Sequence, residues 1–278
     1  MIKKIYPNPE KLIPPNIIRI IAPNPGIMTG MGTNTYLIGK KEIAVIDPGP
    51  KIKSHIEKIL TTTPGPIRWI FATHTHLDHS PATEILAKKT GAKILGIPPP
   101  KGKNQDQTFL PHKILSNGET IHTKEFSIQA IHTPGHASNH LCYHLTSQDL
   151  LFTGDNIMNG STVVIDPPDG DMKEYLESLQ DIKRLPLNKL LPGHGEPINN
   201  PIETINLIIK HRLNREKIII NELILNPNLS IKKLTPLVYK DVGGKLHKLA
   251  SRSLLAHLIK LDIEGLAIQK HGKWTIKN

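Results

Sequence analysis

The sequence predicts a mixed α/β layer followed by a smaller, separately organised unit of helices and a hairpin. Three observations carry this. Strand-like and helix-like segments alternate between residues 35 and 97, the signature of an α/β or mixed sheet layer. From 107 to 155 the pattern turns to several short strands separated by turns. Residues 201–278 then change in both pattern and charge, and hold +8 of the formal net charge of +11.

In chain order, Thr35–Ile38 and Ile43–Asp47 read as strands broken by a turn at Gly39-Lys40-Lys41. Ile52, Ile56, Ile59 and Leu60 have helical spacing, and Ile67–Ala72 is a short buried strand. A helix near Pro81–Lys89 and a strand at Lys93–Ile97 follow, then strands at Phe126–Ile131, Leu141–His144 and Leu150–Thr153. A helix over Met172–Leu185 leads to the strand Lys189–Leu191. Asn200-Pro201-Ile202-Glu203 supplies an N-cap, a first-turn proline and an acidic first turn. The helix it opens runs to about Leu225 and joins a domain over 1–200 to one over 201–278. In the latter, Ser230 caps a short helix to Tyr239, Leu246–Ile263 is a longer one, and Ala267–Ile276 alternates around a His-Gly turn as a hairpin. Helices followed by a hairpin match a winged helix. At about 100° per residue, Lys245, Lys248 and Arg252 share one helical face, apart from Leu246, Ala250, Leu254, Leu258 and Leu261. That basic face is the candidate nucleic-acid contact.

Composition narrows the class. With 278 residues, 38% of them hydrophobic and 21% charged, the chain is globular. No run approaches the roughly 18 apolar residues of a membrane span. Lys3 and Lys4 are not followed by the apolar stretch of a secretory signal. A single cysteine, Cys142, forms no internal disulfide, so the expected location is the reducing cytoplasm.

The histidines carry the chemistry. Thr73-His74-Thr75-His76-Leu77-Asp78-His79 follows a strand directly, and alternate residues of an extended segment point the same way. His74 and His76 can therefore share one metal, while the turn at Asp78-His79 aims those two at a second. His136, Asp155 and His194 sit in glycine-containing loops at other strand ends. Imidazole with carboxylate suits two divalent ions, zinc first, with manganese or iron as alternatives. Isolated histidines such as His55 and His112 read as surface or satisfied residues.

This ordered set, with Val45-Ile46-Asp47-Pro48-Gly49 before it, resembles the metallo-β-lactamase superfamily. The resemblance implies an αββα sandwich in which His74, His76 and His136 hold one metal, Asp78, His79 and His194 the other, and Asp155 bridges them. Gly32–Leu37, Phe152–Asp155, Leu191–Gly195 and the tail segments Val238–Asp241, Leu246–Ala250 and Leu254–Leu258 are similar to the β-lactamase-like protein 2 group, which has a C-terminal winged helix and includes an endoribonuclease acting on single-stranded RNA. After His136 this chain reads Ala137-Ser138-Asn139-His140, where the family more often places an acidic residue before the second histidine.

Three functions follow as expectations. The first is hydrolysis of RNA phosphodiesters by a metal-bridging hydroxide, with Asp78 as ligand and as the group that orients the nucleophile or takes its proton. The second is hydrolysis of a small thioester or lactone, in the manner of glyoxalase II or lactonases, which use the same ligands. The third is a nucleic-acid-binding protein with a structural metal. The partner is thus single-stranded RNA or a small ester, with no membrane role and a homodimer left open. Ser161 and Thr162, close after Asp155, are further residues able to touch substrate.

Overall fold

The computed structural model describes residues 11–13 and 16–277. These residues form two compact units: the first holds the described residues up to Thr133 together with 139–161 and 186–201, the second 134–138, 162–185 and 202–277. In space the second unit is therefore larger than the stretch after residue 200.

The first unit contains two sheets. Strands β1 (Lys11–Ile13), β2 (Ile17–Ile21), β3 (Asn34–Ile38), β4 (Ile43–Ile46), β5 (Ile67–Phe71), β6 (Lys93–Gly96) and β7 (Lys113–Ile114) pair in sequence order. Pairing is antiparallel from β1 to β4 and parallel from β4 to β7. Strands β8 (Thr120–His122), β9 (Ser127–His132), β10 (Leu141–Leu145), β11 (Leu150–Gly154) and β12 (Lys189–Pro192) make a second sheet in the order β12-β11-β10-β9-β8, parallel only between β11 and β12. The parallel steps in the first sheet need crossovers, and helices α1 (Lys53–Thr62) and α2 (Thr83–Thr90) provide two of them.

The sheets face each other across a core of Ile17, Ile38, Ile46, Phe71, Leu95, Leu141, Leu145, Phe152 and Leu191. Aromatic residues are only 4% of the chain, and four of them pair across this interface. Tyr36 meets Phe152 and Phe71 meets Tyr143 edge-on, each with ring centroids 5.1 Å apart. On the other face of the first sheet, Leu37, Val45 and Ile70 pack against Ile56 and Ile59 of α1 and Leu86 of α2. That two-sided burial explains why β4 reads as a continuous apolar run.

The second unit contains α3 (Met172–Lys183), most of α4 (Pro201–Leu225), α5 (Ile231–Val238), α6 (His247–Ile263) and the hairpin β13 (Ala267–Lys270)–β14 (Lys273–Ile276). Its core joins Ile219 and Leu223 of α4, Leu234 and Val238 of α5, Leu254, Leu258 and Leu261 of α6, and Trp274 of the hairpin. His271 and Gly272 both take positive φ, 48° and 75°, as a two-residue hairpin turn requires.

Two local expectations are corrected. Ser230 occupies the N-cap position of α5, but its side chain makes no capping bond. Lys245 does not share the helix of Lys248 and Arg252: it lies in a one-turn 3-10 helix, Gly244–Leu246, because the flexible Gly243-Gly244 pair delays α-helix formation until His247. No described helix is long and apolar enough to cross a membrane.

Candidate metal centre

The site in the first unit grows from strand ends. Asp47, just past β4, donates its backbone N–H to Phe71 O at the end of β5 (2.9 Å). Its buried carboxylate then accepts three bonds: from Thr73 N–H (2.7 Å), Thr73 hydroxyl (2.8 Å) and His79 Nδ1 (2.9 Å). One side chain thereby fixes both ends of the His74–His79 loop. The Thr73 hydroxyl, having donated to Asp47, accepts from His74 Nδ1 at 3.0 Å, which leaves His74 Nε2 directed at His76 Nδ1, 2.9 Å away. The turn expected at Asp78-His79 is present, closed by His79 N–H on His76 O (3.0 Å).

Asp155 follows β11, and its backbone N–H donates to His140 Nε2 at 3.2 Å. The His140 ring, fully buried, lies over His74 at an interplanar angle of 30° with centroids 5.1 Å apart and is held by Thr133 Oγ1 at 2.9 Å. His194, at the end of β12, directs Nδ1 to Gly32 O at 3.2 Å. Its loop is clamped by Asn34 Nδ2 on Pro192 O and Gly195 O (2.8 Å each), by the Tyr36 hydroxyl on Pro192 O (2.8 Å), and by Arg19 on Gly195 O (3.0 Å). Gly193 has a steric reason: a Cβ there would stand 2.7 Å from His79 Cε1 and 2.8 Å from Asp155 Oδ1.

Four donor atoms converge as a result. His79 Nε2 lies 3.6 Å from Asp78 Oδ2 and 3.3 Å from Asp155 Oδ1; His194 Nε2 lies 3.2 and 3.3 Å from the same oxygens. Among the described residues neither Nε2 has a hydrogen bond of good geometry, although both are buried. For metal–ligand bonds of about 2.0–2.2 Å, a tetrahedral site has ligand–ligand edges of about 3.3–3.6 Å. The donor set therefore fits a divalent ion in spacing and in chemistry. The imidazole tautomers fit as well, because His79 and His194 direct Nδ1 at oxygens that can only accept, so in the neutral ring that would hold an ion the lone pair of each sits on Nε2. A second group within metal-binding distance, His74, His79 and Asp155, shares two of its members with this set.

The electrostatics follow from that crowding. Burial opposes charge on His79 and His194, yet the facing carboxylates dominate: His79 is held well above the usual imidazole range, and His194 is raised to about 10. Burial also opposes ionisation of Asp78 and Asp155, and the neighbouring imidazoles outweigh it, holding both carboxyls below the ordinary value. His74, packed among other imidazoles, goes the other way through burial and like-charge repulsion. A site that keeps carboxylates ionised and demands positive charge from its imidazoles is one built for cations.

His136 belongs to the second unit, in segment 134–138, where it is nearly buried and its Nδ1 contacts Val164 O at 2.8 Å. Ser161 is exposed and Thr162 half-buried. Arg252 is paired with Asp166 at 2.9 Å, whereas Lys245 and Lys248 are exposed and have no ion-pair partner among the described residues. His55 is buried with its Nε2 2.9 Å from Thr35 Oγ1, and His112 Nδ1 accepts from Ile94 N–H (3.0 Å).

Residues 28–194 match the metallo-beta-lactamase superfamily model, and residues 230–274 match the beta-lactamase associated winged helix domain. The chain belongs to the metallo-β-lactamase superfamily. It has the mixed α/β fold of that superfamily and a C-terminal winged-helix domain, and it is a hydrolase of that class. It is 30% identical over 264 residues to the "Beta-lactamase-like protein 2 homolog" of Drosophila melanogaster, covering 90% of this chain and 89% of that one. It is 32% identical over 206 residues to "Thioesterase pkgB" of Emericella nidulans, covering 72% of this chain and 57% of the relative. A solved beta-lactamase domain protein from Burkholderia ambifaria superposes with a TM-score of 0.84 at 16% identity, over 99% of this chain and 96% of its own.

Proposed function

We propose that this hydrolase is a dinuclear metal-dependent phosphodiesterase acting on single-stranded RNA. In this reading Asp78, His79 and His194 hold one ion, His74 and His76 with His136 hold the other, and Asp155 bridges them. Zinc is the expected metal. Bound there, two cations would supply a hydroxide near neutral pH and polarise the scissile oxygen. The chain's own groups set the geometry. Asp47 holds His79 from behind, His140 fixes the backbone of Asp155, and the clamp of Arg19, Asn34 and Tyr36 holds His194. Asp78 is the most solvent-accessible of the four clustered donors, so its carboxylate is the one placed to orient a nucleophile or take its proton.

One observation carries the RNA reading. In the winged-helix unit, Lys232, Lys233, Lys245, Lys248, Lys270 and Lys273 are exposed and have no ion-pair partner among the described residues. Lysines left open at two helix starts and on both sides of a wing are suited to successive phosphates. Arg252 is a weaker candidate than Lys245 and Lys248, because Asp166 already neutralises it.

A second reading, thioester hydrolysis, is favoured by the relatives named as thioesterases, two of which match 72% and 74% of this chain. A parallel turnover assay separates the two. Metal-reconstituted protein meets a labelled single-stranded RNA and an acyl thioester, each repeated with Asp78→Ala. RNA cleavage that disappears in the variant supports the proposal. Thioester turnover without RNA cleavage replaces it with the second reading.

A further inference from the structure

The segment between Thr162 and Asp171 has no regular secondary structure, yet it is tied down at four successive residues. Arg212 of α4, itself buried, donates to Val163 O. The Val164 carbonyl accepts from His136 Nδ1 at 2.8 Å. Ile165 N–H donates to Ser253 Oγ of α6 at 3.2 Å, and both residues are buried. Asp166 pairs with Arg252, one residue before Ser253, at 2.9 Å. The carbonyl that meets His136 is thus flanked on both sides by bonds to α4 and α6.

The backbone of His136 is bound into the same unit. Gly135 O accepts from Asp171 N–H (2.8 Å), Pro134 O from the Ser178 hydroxyl (2.8 Å), and Ser138 donates its hydroxyl to Asp169 Oδ1 (2.6 Å). Gly135 lies so close to α3 that a Cβ would stand 2.3 Å from Tyr175 Cα, and the Tyr175 ring carries the Arg212 guanidinium 5.4 Å above its centre. Arg212 therefore touches both supports of His136: the strap that holds its ring and the helix that seats its backbone.

We infer that the C-terminal helices orient a metal ligand, with Arg212, Ser253 and Arg252 as positioning residues that act on His136 through the 163–166 strap. A carbonyl only accepts, so its bond to Nδ1 keeps the proton on that nitrogen and the lone pair on Nε2. Moving the strap by a few tenths of an ångström loosens both the tautomer and the direction of that lone pair. These C-terminal helices thus have a task toward His136 that is independent of any nucleic acid. The inference rests on the proposed role of His136 as a ligand.

The test measures metal binding, not turnover. Full-length protein is titrated with cobalt(II), read by its d–d absorption, and with zinc against a chromophoric chelator. The variants are Arg212→Gln, Arg212→Lys, Ser253→Ala and His136→Ala. His136→Ala is expected to lose tight binding of one of two ions. Arg212→Gln is expected to weaken that same ion about tenfold and to change its cobalt spectrum, leaving the other ion untouched. Arg212→Lys, which keeps a donor for Val163 O, should recover part of the affinity. Should Arg212→Gln fail to fold, Ser253→Ala removes a single oxygen and carries the test, with a loss of about threefold expected. Unchanged affinities and spectra in the folded Arg212 or Ser253 variants, beside a lost ion in His136→Ala, overturn the inference and leave the ligand reading standing. Two ions retained in His136→Ala overturn the ligand reading, and the inference with it.

Discussion

Asp47→Asn is expected to damage metal binding more than its near-identical shape suggests. The carboxylate accepts from Thr73 N–H, the Thr73 hydroxyl and His79 Nδ1 at 2.7–2.9 Å, and all three groups are buried. Asparagine keeps one acceptor, which serves Thr73 N–H, and turns an NH2 toward the other two. Two bonds to a charged acceptor, about 1.5–3 kcal/mol each, become neutral ones worth about 0.5–1.5, a net cost of about 2–3 kcal/mol in stability. The larger consequence is at His79. With a donor facing it, Nδ1 must accept, and the proton moves to Nε2, the atom 3.3 Å from Asp155 and 3.6 Å from Asp78. A protonated Nε2 cannot ligate. Loss of such an outer partner weakens metal binding by about 10–100-fold, or about 1.4–2.7 kcal/mol. Asp47→Ala removes the acceptor without installing a donor and leaves room for water. It should therefore be the less stable variant in urea but the better metal binder of the two. Zinc competition and urea titration on both variants check this. Equal zinc affinity in Asp47→Asn and the parent protein, or a weaker Asp47→Ala than Asp47→Asn, would refute the tautomer argument.

Other consequences are checked more simply. Burial pushes the His55 imidazole from 6.5 down to about 4, so the unfolded chain takes up this proton before the native one does. Stability present above 6.5 is lost as pH falls toward 4, by up to about 3 kcal/mol; metal-free His55→Gln should show a shallower acid slope, and parallel slopes would exclude the effect. Gly193→Ala brings a methyl to within 2.8 Å of both His79 Cε1 and Asp155 Oδ1, so it should cost about 1–3 kcal/mol and most of the turnover, measured by melting and by initial rates. Asn34→Ala strips the bonds to Pro192 O and Gly195 O; a loss of about 1–3 kcal/mol with weakened binding of the ion held by His194 is expected, and unaltered metal affinity would show that the clamp does not reach the ligand. Dialysis against a chelator should lower the stability, and with it the melting temperature, in a metal-concentration-dependent way; between no metal and a hundredfold excess over Kd the stability should differ by about 2.7 kcal/mol.

The elements that sequence periodicity displays best are those with one clear environment. α3, α4, α6, the hairpin and the strands β3–β6 and β9–β12 all lie within a few residues of their expected positions. Strand β2 was not legible, because Ile17-Ile18-Arg19-Ile20-Ile21 has a charge at its centre that argues against burial. Arg19 is nonetheless buried, and its partners Gly195 and Glu196 come from the other end of the domain. A lone arginine inside an isoleucine run was the available signal. The histidine and aspartate pattern pointed to the loops that converge, since each loop follows a strand. The atoms that hold those loops were hidden. From sequence His140 is either a packed histidine at a strand start or a support for a neighbouring ligand, and the fold reveals its bond to the backbone of Asp155. The strap at 163–166 has no periodicity at all, so its link between α4, α6 and His136 is written in tertiary contacts alone.

Arg19 and Asn34 also set an order of events. Their bonds to Gly195 span 176 and 161 residues, and closures of that length come late and slowly in folding. During synthesis, the first strands leave the ribosome long before the loop they must clamp exists. The His74–His79 segment and Asp47 are close in the chain and can settle early, offering imidazoles and a carboxylate to passing metal ions. His194 joins them only after almost two hundred residues have been made. An ion held by the early half alone would have an incomplete shell until the His194 loop docks.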